Sequence, residues 1–586
     1  MNMTHIHTLG KQAARSKGNP SGLPKSLLSG FTRLTQPSPE PTVTEPAERT
    51  DSATTVAGRT RLPRARAYLL FGLVAFAIAA FFRFHQGGAP DNDSFYHIRH
   101  AAIYAERGLM TRAFPWLVYS IISRFASDIG YGFHVLLIPF ARLSDPVRGL
   151  QWASVFEAAA VLVMLYAVMR RHRLAYPWAW PYLLLFLGPP ILYTFLLTRP
   201  QTLTMGFAAL LLSCMITGRP WGALLAAFAI SFTHLNISPI IPVIVGVAFV
   251  VRIVTERTWD WRRAGFALGG MLLGWLARPN PLGVAKIEYV QMIVHTAVRQ
   301  RGLPLLFGRE WLPVAPADAF SMFSYFIVIW LGLALLLLAA TVLRKGEVSA
   351  ERRSMLWSSL LLSLGFFAVT VLNTKRATPL WATFGVMFSA AAFTSFVNLK
   401  EQQARQLLNH EARMIVAFCA ALVFGLMVKD CVDQHVLQGR WGGGAPYRYQ
   451  PAAVWIARDS RPGDIVYNVD WSTFPELFCW NAKNYYVSGL DPIFLYAYDP
   501  GLYWKTHHLQ IADTTEYTCA TQDCAKSRHE DTLTVLTRDF QARYVVLDTQ
   551  QSVGLYYYLK DRSGVEQGYE GNGLAVFRLK APARHG

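Results

Sequence analysis

The chain has 586 residues, of which 52% are hydrophobic and only 16% charged, with a formal net charge of +19. Soluble domains carry roughly 25% charged residues, so this balance excludes an ordinary water-soluble enzyme and points to a polytopic membrane protein. The basic residues stand in short clusters between apolar runs, without the aromatic-basic motifs of nucleic-acid readers. Membrane loops account for them, and no nucleic-acid partner is expected.

In chain order, residues 1–66 are polar and rich in Pro, Ser and Thr, with ten Lys/Arg against four acids. They read as a disordered basic cytoplasmic tail facing anionic lipid. Eleven apolar segments follow, at 68–84, 150–169, 178–198, 203–217, 221–233, 237–251, 264–277, 320–343, 356–372, 379–396 and 414–428. A hydrocarbon core of ~30 Å at ~1.5 Å per residue can be crossed by each, the shorter ones with flanking help. The run 133–140, which contains Pro139, is too short to cross and reads as interfacial or re-entrant. With the N-terminus inside, the clusters Arg170-Arg171-His172-Arg173, Arg219, Arg257/Arg262/Arg263, Arg344-Lys345 and Lys400/Arg405 all fall on the cytoplasmic side. About eleven transmembrane helices, N-in and C-out, make up a membrane domain at 67–429 with outer loops at 85–149 and 278–318.

From residue 430 to 586 the composition turns soluble, and an extracytoplasmic α/β domain is expected. A helix over 451–460 and strands over 465–469, 542–548 and 574–579 are its clearest elements. Of its cysteines, Cys431, Cys479, Cys519 and Cys524, the last two can close a small loop on an oxidising side, although spacing alone fixes no pairing.

This parity gathers the polar residues that carry chemistry on one outer face. Asp91 to His100 packs two acids, two histidines and an arginine behind the first apolar segment, with a helix over 94–107 expected. Asp93 or Ser94 is its expected N-cap and Gly108 its stop. Two carboxylates ahead of a helix N-terminus suit a divalent cation held over N–H groups that favour phosphate. Arg199-Pro200-Gln201 meets the same face as an anchor or a phosphate clamp. His234 and Asn236 end a span and read as packing. Glu310, in Gly308-Arg309-Glu310-Trp311, lies in a long loop of the kind that is usually functional, and Arg376 defies the topology rule by being outside. Asp470-Trp471 leaves a strand where α/β sheets place their sites.

Taken together, Asp91-x-Asp93-Ser94-Phe95-Tyr96-His97-Ile98-Arg99, the many spans and the outer C-terminal domain resemble GT-C glycosyltransferases. The likeness runs over about residues 67–480 and is nearest to single-subunit oligosaccharyltransferases of bacteria and archaea. It implies a GT-C-like fold and transfer of a sugar or oligosaccharide from a polyprenyl-phosphate or -diphosphate carrier at the outer face of the inner (plasma) membrane. It also implies a divalent cation, Mn or Mg. Carried over by motif, Asp91, Asp93 and Glu310 are the catalytic acids, with Asp91 and Asp93 also the metal ligands. Arg199, Arg376 and His97 face the donor phosphate, and Asp470 and Trp471 the acceptor, which is a lipid, a polysaccharide or a protein. Arg199-Pro200-Gln201 departs from the family, which carries an Asp-x-Asp/Glu pair there. A transporter or flippase of a lipid-linked anion is the alternative, and it predicts charged residues at mid-span depth.

Overall fold

The computed structural model describes residues 64–85, 91–343, 349–403, 410–441, 445–511 and 516–580. The basic tail over 1–63, Arg344-Lys345 and Arg405 lie outside the described residues. Every apolar segment named above falls on helix. Among the described residues, six helices are long and apolar enough to cross a membrane, Arg64–His85, Pro146–Arg171, Pro200–Thr217, Leu235–Glu256, Pro316–Leu337 and Ala350–Leu372, and up to seven with a bent pair. Tyr131–Ala141 and Pro220–Thr233 are shorter apolar helices. These helices and the fold described below make the chain an integral membrane protein. The segment 178–198, expected to be long enough to cross a membrane, breaks into Ala179–Leu185 and Pro189–Leu196, bent by 95°. The break falls at Gly188-Pro189-Pro190, where two consecutive residues have no N–H to continue the helical ladder.

The C-terminal region builds on seven strands: β1 (Ile465–Asn468), β2 (Tyr485–Tyr486), β3 (Tyr517–Thr518), β4 (Glu530–Asp531), β5 (Ala542–Asp548), β6 (Val565–Gly571) and β7 (Leu574–Leu579). The main sheet runs β2-β1-β5-β7-β6, while β3 and β4 pair alone. Strand β1 is parallel to β2 and β5, and β7 is antiparallel to β5 and β6. The expected helix is Gln450–Asp459, and Cys519 and Cys524 are joined in a disulfide.

The loop after the first helix belongs to the core of the C-terminal sheet region as much as to the apolar helices. Its Trp116 donates from the indole Nε1 to the Ala482 carbonyl (2.7 Å), and Leu117 bridges to Tyr486 of the edge strand β2. Tyr96, Ile103, Phe114 and Trp116 pack into one buried cluster with Phe474, Phe478 and Tyr486. Burying these apolar surfaces together, at roughly 25 cal/mol per Å², fixes the first loop against the soluble domain.

Candidate functional site

The helix that carries the first-loop residues is Asp93–Arg107. Its N-cap is Asn92, not Asp93 or Ser94. Asn92 makes no capping bond because its amide Nδ2 donates instead to the Ser472 carbonyl across the interface (3.1 Å). The helix stops at Gly108, whose φ of +92° suits glycine.

Freed from capping, the two acids converge on one cation. Arg199 Nε donates to Asp91 Oδ2 at 2.5 Å, and its Nη2 to Asp93 Oδ2 at 2.9 Å. Ser94 Oγ donates to the other Asp91 oxygen. Arg199 stands at the N-cap of Pro200–Thr217 with an extended backbone, and Thr198 Oγ1 donates to the Leu150 carbonyl just before it (3.0 Å). Asp91, Asp93 and Glu310 hold the Arg199 charge firmly against the cost of burial. Burial pushes the Asp93 carboxyl above the usual carboxylate range, against the pull of Arg199, while Asp91 and Glu310 add to the rise.

A second arginine is built the same way from the long loop. Arg376 Nη2 donates to Glu310 Oε1 at 3.0 Å, and its guanidinium lies 3.8 Å from the Trp311 ring centroid. Backbone bonds set this register: Lys375 N–H to the Leu312 carbonyl (2.8 Å) and Val314 N–H to the Thr370 carbonyl (3.0 Å). Thr374 Oγ1 donates to the Glu310 carbonyl (2.9 Å), and Arg299 Nη2 donates to the Asn373 carbonyl (2.9 Å). Gln201 ties the two arginine corners together by donating from Nε2 to the Arg376 carbonyl (3.3 Å).

Both corners open on one cavity of about 380 Å³, whose walls include Asp93, His97, Arg199, Gln201, His234 and Arg376. His234 accepts from or donates to Thr204 Oγ1 at 3.1 Å, and burial, with Arg376 and Arg199 adding to it, lowers its imidazole to about 3. It is a neutral wall residue, in keeping with packing. Leu490 and Phe494 bring the C-terminal region to the same cavity, a contribution with no sequence signal beyond ordinary apolar residues.

The remaining expected residues are placed as follows. His97 lines the cavity, yet its Nδ1 is 2.7 Å from His134 Nε2. Asp470 accepts from Ser472 N–H (2.9 Å) and Gln510 Nε2 (3.1 Å). Neither Asp470 nor Trp471 lines the cavity; their turn meets the first loop through the Ser472 carbonyl. Sequence reasoning missed Asp128 and His134, which sit before and within the run read as interfacial or re-entrant; a lone histidine in an apolar stretch was the available signal.

The implied divalent cation can be tested on the donor set. Mn or Mg needs several convergent oxygens, but Asp91 and Asp93 are spanned by the Arg199 guanidinium. Among the described residues, two groups of three His, Cys, Asp or Glu converge, His100–Asp128–His134 and His508–Cys519–Cys524, and neither includes Asp91 or Asp93. The first-loop acids do not fit the ion; the arginine stands in its place.

No family model matches the sequence, and no curated protein matches it. The fold, however, is similar to that of the oligosaccharyltransferase of Archaeoglobus fulgidus in its apo form, with a TM-score of 0.58 and 12% identity over 84% of this chain and 71% of that one. It is similar also to ArnT from Cupriavidus metallidurans bound to undecaprenyl phosphate, with a TM-score of 0.50 and 14% identity over 88% of this chain and 99% of that one. Helices, first loop and C-terminal sheet together share the fold of these two proteins.

Proposed function

We propose that the protein is a membrane glycosyltransferase that moves a sugar or oligosaccharide from a polyprenyl-phosphate or -diphosphate carrier to an acceptor at the outer face of the membrane. The observation that carries this reading is the pair Arg199 and Arg376 on one cavity wall, each oriented by carboxylates, in a GT-C fold. The undecaprenyl phosphate bound to ArnT supports a carrier of that class. In this reading some eleven helices cross the membrane, N-in and C-out, with a membrane domain over 67–429 and an extracytoplasmic domain over 430–586.

The chemistry follows from the charges. As the sugar C1–O bond to phosphate breaks, negative charge grows on the leaving phosphate, and preoriented guanidiniums stabilise it without reorganising. Asp91, Asp93 and Glu310 hold those guanidiniums in place, the first two doing for Arg199 what an ion's ligands do for a metal. The acceptor, whether lipid, polysaccharide or protein, enters from the C-terminal side, where Leu490 and Phe494 line the cavity and the turn holding Asp470 and Trp471 meets the first loop.

The test is transfer from lipid-linked sugar in membranes carrying Asp91→Asn together with Asp93→Asn. Neutralising both removes the hold on Arg199, and turnover is expected to fall by at least ~10²-fold. Full turnover in the double variant overturns the reading, and flux of carrier lipid without sugar transfer in liposomes identifies a transporter instead.

A further inference from the structure

Beside the arginine pair lies a buried chain of polar groups that the charges above do not use. Asp128 Oδ2 is 2.6 Å from His134 Nδ1, and His134 Nε2 is 2.7 Å from His97 Nδ1. Asp128 also accepts from Tyr104 OH (2.9 Å) and, through Oδ1, from Gly130 N–H (2.9 Å). Arg278 pins this loop by donating to the carbonyls of Asp128 (3.2 Å) and Ile129 (2.9 Å) and to that of Phe232 (3.0 Å). His134 is fully buried and the Asp128 side chain is 7% exposed. The chain begins in the protein interior and ends on the cavity wall at His97.

Its proton order follows from Asp128 once His134 is neutral. Against the cost of burial, His134 and His100 hold the Asp128 carboxyl below the usual carboxylate range, so it is an acceptor only. A neutral His134 then carries its hydrogen on Nδ1 and accepts at Nε2 from His97 Nδ1, whereas a His134 imidazolium would donate to His97 instead. A neutral His97 is left with a lone pair on Nε2. That atom repels a phosphate oxygen and attracts a proton, so the phosphate contact expected of His97 does not suit the tautomer.

We infer that His97 Nε2 is the proton acceptor of the transfer, with His134 and Asp128 as positioning residues that set its tautomer and stabilise the imidazolium it becomes. The inference rests on the glycosyltransferase reading and names the base within it. A bond forms from the acceptor's heteroatom to sugar C1, and the C1–O bond to the carrier phosphate breaks with its electron pair leaving on the phosphate oxygen. The proton of the acceptor heteroatom goes to His97 Nε2. Asp93 is the rival base, but protonating it removes half of the grip on Arg199 just as the leaving phosphate needs that cation.

The groups facing His97 are His134 and Asp128 from the 128–134 segment, His100 from its own helix, and Arg199 from the start of the next membrane helix. Burial first, then His134 and Arg199, lower its imidazole well below the ordinary value, while Asp128 opposes them. His97 is therefore neutral and ready at neutral pH, and the rate falls as pH drops through its titration, on a limb below about 6.5. Removing the Asp128 charge moves that limb to still lower pH.

The experiment uses membranes carrying the full chain, with the carrier lipid pool labelled by tritiated monosaccharides and the loss of label from the lipid phase followed against pH. His97→Gln is expected to slow turnover by roughly 10²–10⁴-fold and to remove the acid limb. Imidazole is expected to restore part of the rate to His97→Ala, and Asp128→Asn to shift the limb to lower pH. Because Asp128 also holds Tyr104 and Gly130, the His97 variants keep the test clear of folding; among the described residues, His134 is that ring's hydrogen-bond partner. A His97→Gln variant that keeps its rate overturns the relay, as does one that only raises the half-saturating donor level with the limb in place. Stoichiometric zinc in the purified protein, lost in Asp128→Asn, also overturns it and makes His100–Asp128–His134 a metal centre. If Asp91→Asn with Asp93→Asn is dead while His97→Gln is not, the relay alone fails; if both turn over fully, the glycosyltransferase reading fails with it.

Discussion

Two regions of this protein bury charge in opposite ways. In the first loop, Asp91 and Asp93 share Arg199, and the three are joined in one hydrogen-bonded cluster. In the C-terminal region, Glu476 is buried with no hydrogen-bonded cation among the described residues, since Arg448 donates its bond to Asp548 at 2.7 Å. Burial pushes the Glu476 carboxyl up to about 7, with Arg448 only partly opposing. Asp491, which caps the helix at Ile493, is likewise raised by burial, to about 6. A cation among carboxylates preserves a field that acts on a substrate; a lone buried acid sheds its charge and becomes part of the packing.

Breaking the triad gives the largest effect. Arg199→Ala leaves Asp91 and Asp93 facing each other and removes a phosphate-stabilising donor, and sugar transfer is expected to drop by roughly 10²–10³-fold. A drop confined to the half-saturating donor level points to ground-state binding instead.

Glu476→Gln sharpens the contrast from the other side. A carboxyl raised in the folded state favours the protonated form, so stability is present below its ordinary value of 4.5 and is lost as pH rises through about 7. By linkage the loss is on the order of 3 kcal/mol. The glutamine variant is expected to melt at higher temperature than the wild type at pH 8 and at nearly the same temperature near pH 4. A wild-type melting temperature that does not fall across this window shows that Glu476 stays charged.

Arg376→Ala is milder because Arg376 and Glu310 are 28% and 38% exposed. The loss is expected at about tenfold in transfer rate, with Arg376→Lys recovering the charge but not the stacking on Trp311, worth about 0.5–2 kcal/mol. The smallest effect is that of metal removal. With Arg199 between the two first-loop acids, a chelator is expected to leave the rate unchanged and Mn²⁺ titrated onto the purified protein to show no saturable site at Asp91 and Asp93. A chelator-sensitive rate restored by Mn²⁺ shows that the guanidinium yields to an ion during turnover.

Much of the scaffold was legible because it depends on local pattern. Apolar runs became helices, the β-prone runs Ala542–Asp548 and Leu574–Leu579 became strands at the expected residues, and the first-loop acids, Arg199, Glu310 and Arg376 were all singled out. What pattern does not carry is which charge meets which. Asp91 and Asp93 read equally well as ligands of an ion, and only a partner 108 residues from Asp91 showed that a guanidinium takes that place. The bend within 178–198 went unread for a local reason, the paired prolines, outweighed in the reading by hydropathy. Asp128 and His134 failed for a global one: a buried imidazole is stable only with its hydrogen bonds made, and those partners come from separate segments of the chain.

By itself, then, the sequence determined the membrane class, the helices, most of the sheet and the charged residues that line the cavity, since each follows from composition and periodicity within a few turns of chain. The tertiary structure decided the pairing of Arg199 with two aspartates, the joining of the first loop to the soluble domain through Trp116 and Asn92, and the path from Asp128 to His97. Electrostatic and hydrogen-bond energies depend on distances of a few ångströms between residues far apart in sequence, and folding alone sets those distances.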